Sequence, residues 1–247
     1  MNKLILKEGV FIQPAFVYYI FPLLVKQRNR SEIYMKFKLS LLTLLLSANF
    51  AFSQSVIDVF YQLPAKLIDD LSTTERKKLV SEGSLIKEDM EYTIEIAKTS
   101  GFIRVNQSYT AGQSGYQRFE VCIWNYNKKQ LVGFAAIGGS NGGYFQNELT
   151  FFNSSGNKLI AVQDKVFKTY SPDFNSMMDQ LVTQLCKPGT TKKMKDDIKF
   201  AALTFTLPEK GKNIVLRFSD DQEYARYAKY ILHRELIFTW NNNGRFE

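Results

Sequence analysis

Residues 116–137, YQRFEVCIWNYNKKQLVGFAAI, carry the pattern that decides the fold. Apolar and other side chains alternate through the first half, and a polar turn, Asn127-Lys128-Lys129, separates that half from a second apolar segment. An alternation with a period of two predicts β-strands, and a short polar turn between two strands predicts an antiparallel hairpin. One face of the first strand is apolar, whereas the other is mixed and contains Arg118, Glu120, Cys122 and Trp124. A mixed face predicts that the second side of the sheet is partly covered.

Similar segments lie on both sides of this hairpin. Period-two segments at 92–96, 102–109, 144–152 and 158–164 are separated by short turns, which predicts an antiparallel meander. Helices are predicted before the meander, at 55–71 with an interruption or restart near Pro64, and at 73–81 from a capping box formed by Ser72 and Glu75. A helix beginning at Ser171, a hairpin over 200–218, a helix at 220–232 and a strand at 236–240 are predicted after it.

The predicted fold class is therefore α+β. It consists of a curved, mostly antiparallel β-sheet, arranged as a meander or a partial barrel, with two or three packed helices, and a signal peptide precedes it.

The signal peptide is predicted from residues 35–54, MKFKLSLLTLLLSANFAFSQ. Lys36 and Lys38 precede an apolar run, and Ala51 and Ser53 place small residues where a signal peptidase cleaves. The run is shorter than the roughly 20 residues that a membrane-spanning helix needs. We therefore predict a periplasmic or secreted protein that contacts the membrane only transiently, through its signal peptide.

The predicted domain organisation follows from this leader. Residues 35–53 form the signal peptide, residues 54–247 form a single α+β domain, and residues 1–34 are a dispensable or non-native extension. The alternative is a membrane hairpin, because residues 10–25 form a second apolar stretch and the linker to the first is basic.

Charge gives no argument for a nucleic-acid partner. The whole chain has 32 basic and 24 acidic residues, and removing the seven basic and two acidic residues of 1–53 leaves 25 and 22, a net charge of +3. A folded part so nearly balanced lacks the basic excess typical of nucleic-acid binding. We expect no nucleic acid as a partner and no cofactor.

Cysteine and histidine are scarce. In an oxidising compartment Cys122 and Cys186 could form a disulfide, and the alternative is two buried thiols. With His233 as the only histidine, these residues do not make a Cys/His zinc site, and no metal is predicted. No recognisable motif links His233 to a nucleophile, so a surface position near a helix end is the alternative to a general base.

Three further patterns have both a functional and a structural interpretation. The glycine-rich residues 138–143 resemble a phosphate loop but lack its Lys-Ser/Thr pair and its helix, so a wide hairpin turn is favoured. Asp220, Asp221 and Glu223 would suit a hard cation, and acidic residues equally suit the first turn of a helix. A basic patch lies in and after a predicted loop at 190–195, and it would suit an anionic partner or be merely solvated: Lys192, Lys193, Lys195 and Lys199.

Aromatic side chains are abundant on the consecutive predicted strands, Tyr109, Tyr116 and Phe145 among them. On a curved sheet such residues would line a concave surface for an apolar ligand or a sugar. We select Trp124, Tyr126, Tyr144 and Phe151 as candidate ligand-binding residues. The alternative is that the aromatic residues fill the core beneath the helices.

Both ends of the folded part carry a resemblance. Residues 56–64, VIDVFYQLP, directly follow the predicted signal peptide, and the chain closes with Phe238-Thr239-Trp240 and Gly244-Arg245-Phe246. This resembles small secreted or periplasmic domain-of-unknown-function proteins of bacteroidete-type Gram-negative bacteria. The resemblance implies an exported protein with helices followed by a sheet, and it implies no catalytic residue.

The sequence therefore predicts an exported, non-catalytic protein that binds an unknown partner protein or supports a cell-envelope assembly. The first alternative is a carrier of an apolar ligand or sugar in an aromatic-lined cavity. The second is an envelope hydrolase, whose paired carboxylates would be brought together by folding and not by spacing.

Overall fold

The hairpin predicted from residues 116–137 forms the middle of a seven-stranded antiparallel sheet. Tyr126 pairs with Lys129 across a turn in which Asn127 and Lys128 have φ angles of 44° and 61°. Two successive positive φ angles give a turn whose twist matches that of the flanking strands. The strands are hydrogen-bonded in chain order: β1 (Ser84–Lys87), β2 (Met90–Ala97), β3 (Phe102–Tyr109), β4 (Tyr116–Tyr126), β5 (Lys129–Ser140), β6 (Gly143–Ser155) and β7 (Lys158–Ala161). Of the two predicted arrangements, the sheet is the meander, and its described strands do not close into a barrel.

The computed structural model describes residues 54–140, 143–155, 158–162, 166–200 and 203–247, without the side chains of residues 143, 144, 147 and 200. The predicted extension over 1–34 and the predicted signal peptide over 35–53 therefore lie outside the described residues. So does the side chain of Tyr144. In the described part, no helix combines the length and the apolar character needed to cross a bilayer.

One face of the sheet is covered by two helices, the second of which begins at its predicted capping box. Helix α1 (Val56–Gln62) starts at a capping box of Ser55 and Asp58. Helix α2 (Thr73–Glu82) starts at the predicted box of Ser72 and Glu75 and ends at Gly83. A 3₁₀ turn, Ala65–Ile68, joins them. Their apolar side chains and alternate residues of the sheet form one core, the helix-side core, which includes Phe60, Leu71, Leu79, Tyr92, Ile103, Val105, Phe119, Val121 and Phe134.

The opposite face is covered by the C-terminal half of the chain. A second antiparallel sheet, in the order β10-β9-β8, is built from β8 (Leu203–Thr206), β9 (Ile214–Phe218) and β10 (Glu235–Phe238). The remaining elements are α3 (Phe174–Leu185), α4 (Lys192–Phe200), α5 (Asp221–Tyr227), a 3₁₀ turn Ala228–Tyr230, and the short pair β11 (Trp240–Asn241) and β12 (Arg245–Phe246). They enclose a second core, which includes Phe102, Trp124, Phe151, Leu181, Leu185, Phe205, Leu216 and Phe246.

The mixed face of β4 attaches this second layer to the central sheet. The carboxylate of Glu120, which is completely buried, accepts a hydrogen bond from the backbone N–H of Leu207 at 3.0 Å. The indole N–H of Trp124 donates to the carbonyl of Lys212 at 2.8 Å, and Cys122 lies 3.6 Å from the carbonyl of Pro208. The prediction that this face is partly covered is thus confirmed, because its polar atoms bind the loop between β8 and β9.

Several predicted boundaries differ from the structure, and three of the differences have a clear physical reason. Helix α3 begins after Asp173 and not at Ser171, because the Asp173 carboxylate accepts the N–H of Ser176 at 2.8 Å and so caps the helix. The loop predicted over 190–195 is wrong from Lys192 onward, where α4 begins; lysine is a good helix former, and Ile198 anchors α4 in the core. The last helix ends before Leu232, whose N–H bonds to the carbonyl of Leu185 at 2.7 Å.

Candidate functional site

The aromatic residues selected from the sequence lie mostly in the second core. Trp124 is 2 % exposed and Phe151 is 8 % exposed. Their rings are 6.5 Å apart, and the ring of Tyr126 packs edge-on against Trp240 at 5.8 Å. Trp124 and Phe151 are therefore core residues, which was the alternative interpretation. Phe151 also lines a cavity of about 210 Å³.

Cys122 and Cys186 are both buried and both free. Of the two alternatives, a disulfide or two buried thiols, the structure therefore has the two buried thiols. Burial raises the pKa of both thiols above its ordinary value. A buried thiol with a raised pKa is a poor nucleophile and a poor metal ligand. In the described residues, no three His, Cys, Asp or Glu side chains converge as they would around a metal ion.

The acidic and basic candidates have structural partners. Asp220 caps α5 by accepting the N–H of Glu223 at 2.8 Å, and Asp221 pairs with Arg234. In the basic patch, Lys199 pairs with Asp179 at 2.7 Å. His233 is exposed at the chain's surface. These residues do not form one site.

A different group of residues forms a groove on the helix side of the central sheet. Directly opposite residues of neighbouring strands lie on one face, and one such row runs from Tyr92 to Gln107, to Gln117, to Gly138 and to Phe145. Tyr92 belongs to the helix-side core, so the whole row is on that side. The helices cover the row as far as Gln107 and leave Gln117 and Phe145 partly or largely exposed.

The groove exists because large side chains surround positions that have none. In the neighbouring row, Met90 pairs with Tyr109, and the Tyr109 ring lies 3.2 Å from the place where a Cβ on Gly115 would be. Gly138 interrupts the first row between Gln117 and Phe145. The resulting cavity has a volume of about 260 Å³ and is lined by Met90, Gln107, Ser108, Tyr109, Ser114, Gly115, Tyr116, Gln117, Gly138, Gly139, Ser140 and Phe145. We call it the amide–aromatic groove.

The inner end of the amide–aromatic groove is fixed by a hydrogen-bonded cluster. The amide nitrogen of Gln107 donates to the Asp69 carboxylate at 2.6 Å and lies 3.2 Å from the Tyr92 hydroxyl, which itself donates to Asp69. Burial, together with this bond to Asp69, raises the pKa of Tyr92 well above its ordinary value. Asp69 and Asp70 both have positive φ angles, 48° and 53°. This turn lies between the 3₁₀ turn and α2, and it holds the Gln107 amide in one orientation.

The chemistry of the lining is uniform. None of its twelve described residues carries a formal charge at neutral pH, although 23 % of the chain is charged. Tyr109 and Gln117 offer a hydroxyl and an amide that bind no other described residue. Phe145 leaves 53 % of its surface exposed. The groove therefore combines aromatic rings with free neutral hydrogen-bonding groups.

Other cavities of the described chain are less suited to recognition. The one beside α5, of about 580 Å³, is lined by Arg217, Asp221 and Arg234 among others, and the Arg234 guanidinium already lies over the Tyr224 ring at 4.8 Å. The cleft between α3 and α4, of about 340 Å³, is lined by Lys195 and Asp196 among others. In the first cavity Asp221 and Arg234 pair with each other, and in the second Asp179 pairs with Lys199.

Sequence reasoning did not identify Gln107 and Gln117 as site residues, although Tyr109, Tyr116 and Phe145 were among the abundant aromatic residues. A signal for the amides was present. Gln107 continues the apolar alternation of Ile103 and Val105, and Gln117 precedes that of Phe119 and Val121. An amide where the alternation calls for an apolar residue indicates either a buried hydrogen-bond partner, as at Gln107, or an uncovered part of the face, as at Gln117.

Comparison with known proteins gives no relative: no family model, no curated protein and no solved structure matches this chain. The resemblance drawn from its two ends therefore stays a prediction. The amide–aromatic groove has to be interpreted from its own geometry and chemistry.

Proposed function

We propose that this protein is an exported, non-catalytic binding protein, periplasmic or secreted, and that the amide–aromatic groove is where it recognises an uncharged partner. The observation that carries the proposal is the described lining, whose twelve residues offer rings, amides and hydroxyls and no charged side chain. Export rests on the leader features of residues 35–54.

The lining also argues against catalysis. A general acid or base needs a side chain that exchanges a proton near neutral pH, and a serine nucleophile needs such a base beside it. The groove contains serines at 108, 114 and 140 and only tyrosines as titratable groups. No histidine, carboxylic acid, lysine or cysteine is among the described lining residues. Ligand binding therefore fits these residues better than hydrolysis.

The alternative function, a carrier that encloses its ligand in an internal cavity, has less support. Phe60, Phe134 and Leu181 are completely buried in the two cores, and the described cavity that borders the second core, lined by Phe151 among others, has only about 210 Å³. A deep carrier site would enclose most of its ligand within a cavity of roughly 300–1,000 Å³. The amide–aromatic groove, at about 260 Å³, suits instead one unit of a ligand that extends into solvent.

A screen by protein-observed NMR tests this proposal. The probes are small compounds of matched size in neutral, anionic and cationic versions, and the readout is the set of amide resonances of Gly115, Gln117, Gly138 and Gly139. We expect neutral compounds that have both hydroxyls and an apolar face to shift these resonances. Equal shifts from the charged versions, or shifts from none, would contradict the proposal.

A further inference from the structure

We infer that the uncharged ligand of the amide–aromatic groove is a saccharide, bound through one sugar ring. This inference rests on the proposed function and names the ligand class of the same site. A pyranose ring has an apolar face of C–H groups and an equatorial edge of hydroxyls, so it needs both an aromatic surface and neutral hydrogen-bonding groups. The groove offers these two surfaces next to each other.

The aromatic surfaces stand on either side of a floor without side chains. Tyr109 lies beside Gly115, and Phe145 lies across the strand pair from Gly138. Because Gly138 has no Cβ, a flat ring can approach the backbone there more closely than at other residues, whereas the position over Gly115 is already in contact with the Tyr109 ring. The exposed Phe145 ring then covers the apolar face of the ligand, which removes both surfaces from water.

The hydrogen-bonding groups stand in one row. Gln107 and Gln117 are direct cross-strand partners, and such partners have Cβ atoms about 5 Å apart. The Gln117 amide has a donor and an acceptor, so it can bind a hydroxyl that itself donates and accepts. The amide nitrogen of Gln107 already donates to Asp69 and Tyr92, so only its carbonyl oxygen is left to accept from a ligand. Gln107 is held by Asp69 and Tyr92, which lowers the entropy lost when a ligand binds. Gln117 and Tyr109 add groups that bind no other described residue.

Other ligand classes match the groove less well. A peptide that adds to a sheet needs a free strand edge for its backbone, whereas the groove lies on the face of β3, β4 and β5, which are each paired on both sides. A phosphate or carboxylate needs a cation or a set of backbone donors, and no lysine or arginine is among the described residues that line the groove. A lipid chain would leave the largely buried Gln107 amide facing hydrocarbon, which is costly.

Titration calorimetry of the folded protein tests this inference. The probes are neutral oligosaccharides built from glucose, mannose, galactose or N-acetylglucosamine, with a uronic-acid oligosaccharide and an end-capped neutral tripeptide as comparators. We expect at least one neutral oligosaccharide to bind, and Gln117→Ala and Phe145→Ala each to weaken it about five-fold, since each removes one interaction of about 1 kcal/mol.

Two matched control variants separate recognition from general effects. Gln113→Ala removes an exposed amide near the same strand but outside the groove. Ile160→Ala removes an apolar side chain that is 56 % exposed, similar to Phe145, on β7. Both should leave the affinity unchanged, and circular dichroism should show that all four variants are folded.

The possible results distinguish the two proposals. Binding of the tripeptide in the groove without binding of any neutral oligosaccharide would overturn the saccharide class and leave recognition of an uncharged ligand intact. Binding of the oligosaccharide that Gln117→Ala and Phe145→Ala do not weaken would overturn the groove as the saccharide site. If neither class binds and the NMR screen also finds no neutral compound in the groove, the proposed function fails as well.

Discussion

Replacing Glu120 by alanine should release the second layer from the central sheet. The Glu120 carboxylate is fully buried and accepts the N–H of Leu207 at 3.0 Å. It also lies 3.3 Å from Nε of Arg104 and 3.4 Å from Nε of Arg118. Glu120→Ala leaves the Leu207 N–H without its partner and both guanidinium groups without a buried counter-charge.

The size of the effect follows from these contacts. Removing one member of a buried ion pair costs about 3–5 kcal/mol, and losing a hydrogen bond to a charged group costs about 1.5–3 kcal/mol. The Arg104 side chain is 20 % exposed and keeps Glu95 and Glu209 as partners, so the lower end applies. We expect the free energy of unfolding to fall by about 3 kcal/mol. Glu120→Gln keeps an acceptor for Leu207 and should cost less.

Urea unfolding measures this difference, and the chain offers a matched control. Glu95 and Glu209 bind the same arginine, Arg104, with side chains that are 60 % and 49 % exposed. Exposed ion pairs contribute about 0–1 kcal/mol, so Glu95→Ala should have little effect. If Glu95→Ala destabilised the protein as much as Glu120→Ala, the assignment of Glu120 as the attachment point would be refuted. Faster hydrogen exchange at residues 203–207 in Glu120→Ala would locate the loss.

Three further predictions concern single residues. Gly244 and Gly211 have φ angles of 82° and 80°, but a Cβ on Gly244 would lie 2.4 Å from the Tyr126 ring, whereas one on Gly211 meets nothing within 4 Å. Urea unfolding should therefore show that Gly211→Ala lowers the free energy of unfolding by about 1 kcal/mol, from backbone strain alone, and that Gly244→Ala lowers it further. Equal losses would mean that the Tyr126 ring moves aside without an energetic cost. Because Cys122 and Cys186 are buried and free, Ellman's reagent should detect both thiols only after unfolding. If it detected no thiol even in denaturant, the two cysteines would form a disulfide and the prediction would be wrong. The raised pKa of Tyr92, caused by burial and by Asp69, stabilises the fold below pH about 10, and that stability is lost as the pH rises further. Tyr92→Phe should therefore flatten the alkaline fall in unfolding free energy, and an unchanged slope would contradict the role of this hydroxyl.

Most of the central sheet could be predicted because its strands and turns are specified by residues that are close together in the sequence. Alternation of side chains and short turns specify strands and their neighbours, and Ser72 with Glu75 specifies a helix start. Helix α4 was missed because its lysines suggested a solvated loop, while the contact that anchors it, the burial of Ile198, is made with distant residues. The burial of Trp124 could not be predicted for the same reason. The loop after β8, which its indole N–H binds, lies 88 residues away in the chain.

The amide–aromatic groove could not be predicted because it depends on register. A β-bulge shifts the pairing of β5 with β6, so that Ala136 faces Glu148 but Ile137 faces Gln146. Without the extra residue, Gly138 would face Gln146 and not Phe145. Spacing along one strand does not reveal such a shift. The sequence therefore showed aromatic residues on consecutive strands. It did not show that Tyr109 and Phe145 share one face of the sheet with Gln107 and Gln117.

Intermolecular NOEs between a neutral oligosaccharide and the isotope-labelled protein test the central claim most directly. We predict NOEs from the sugar ring protons to the rings of Tyr109 and Phe145 and to the side-chain amide of Gln117. NOEs that connect the sugar to any other part of the described surface, with none to these three side chains, would contradict the account.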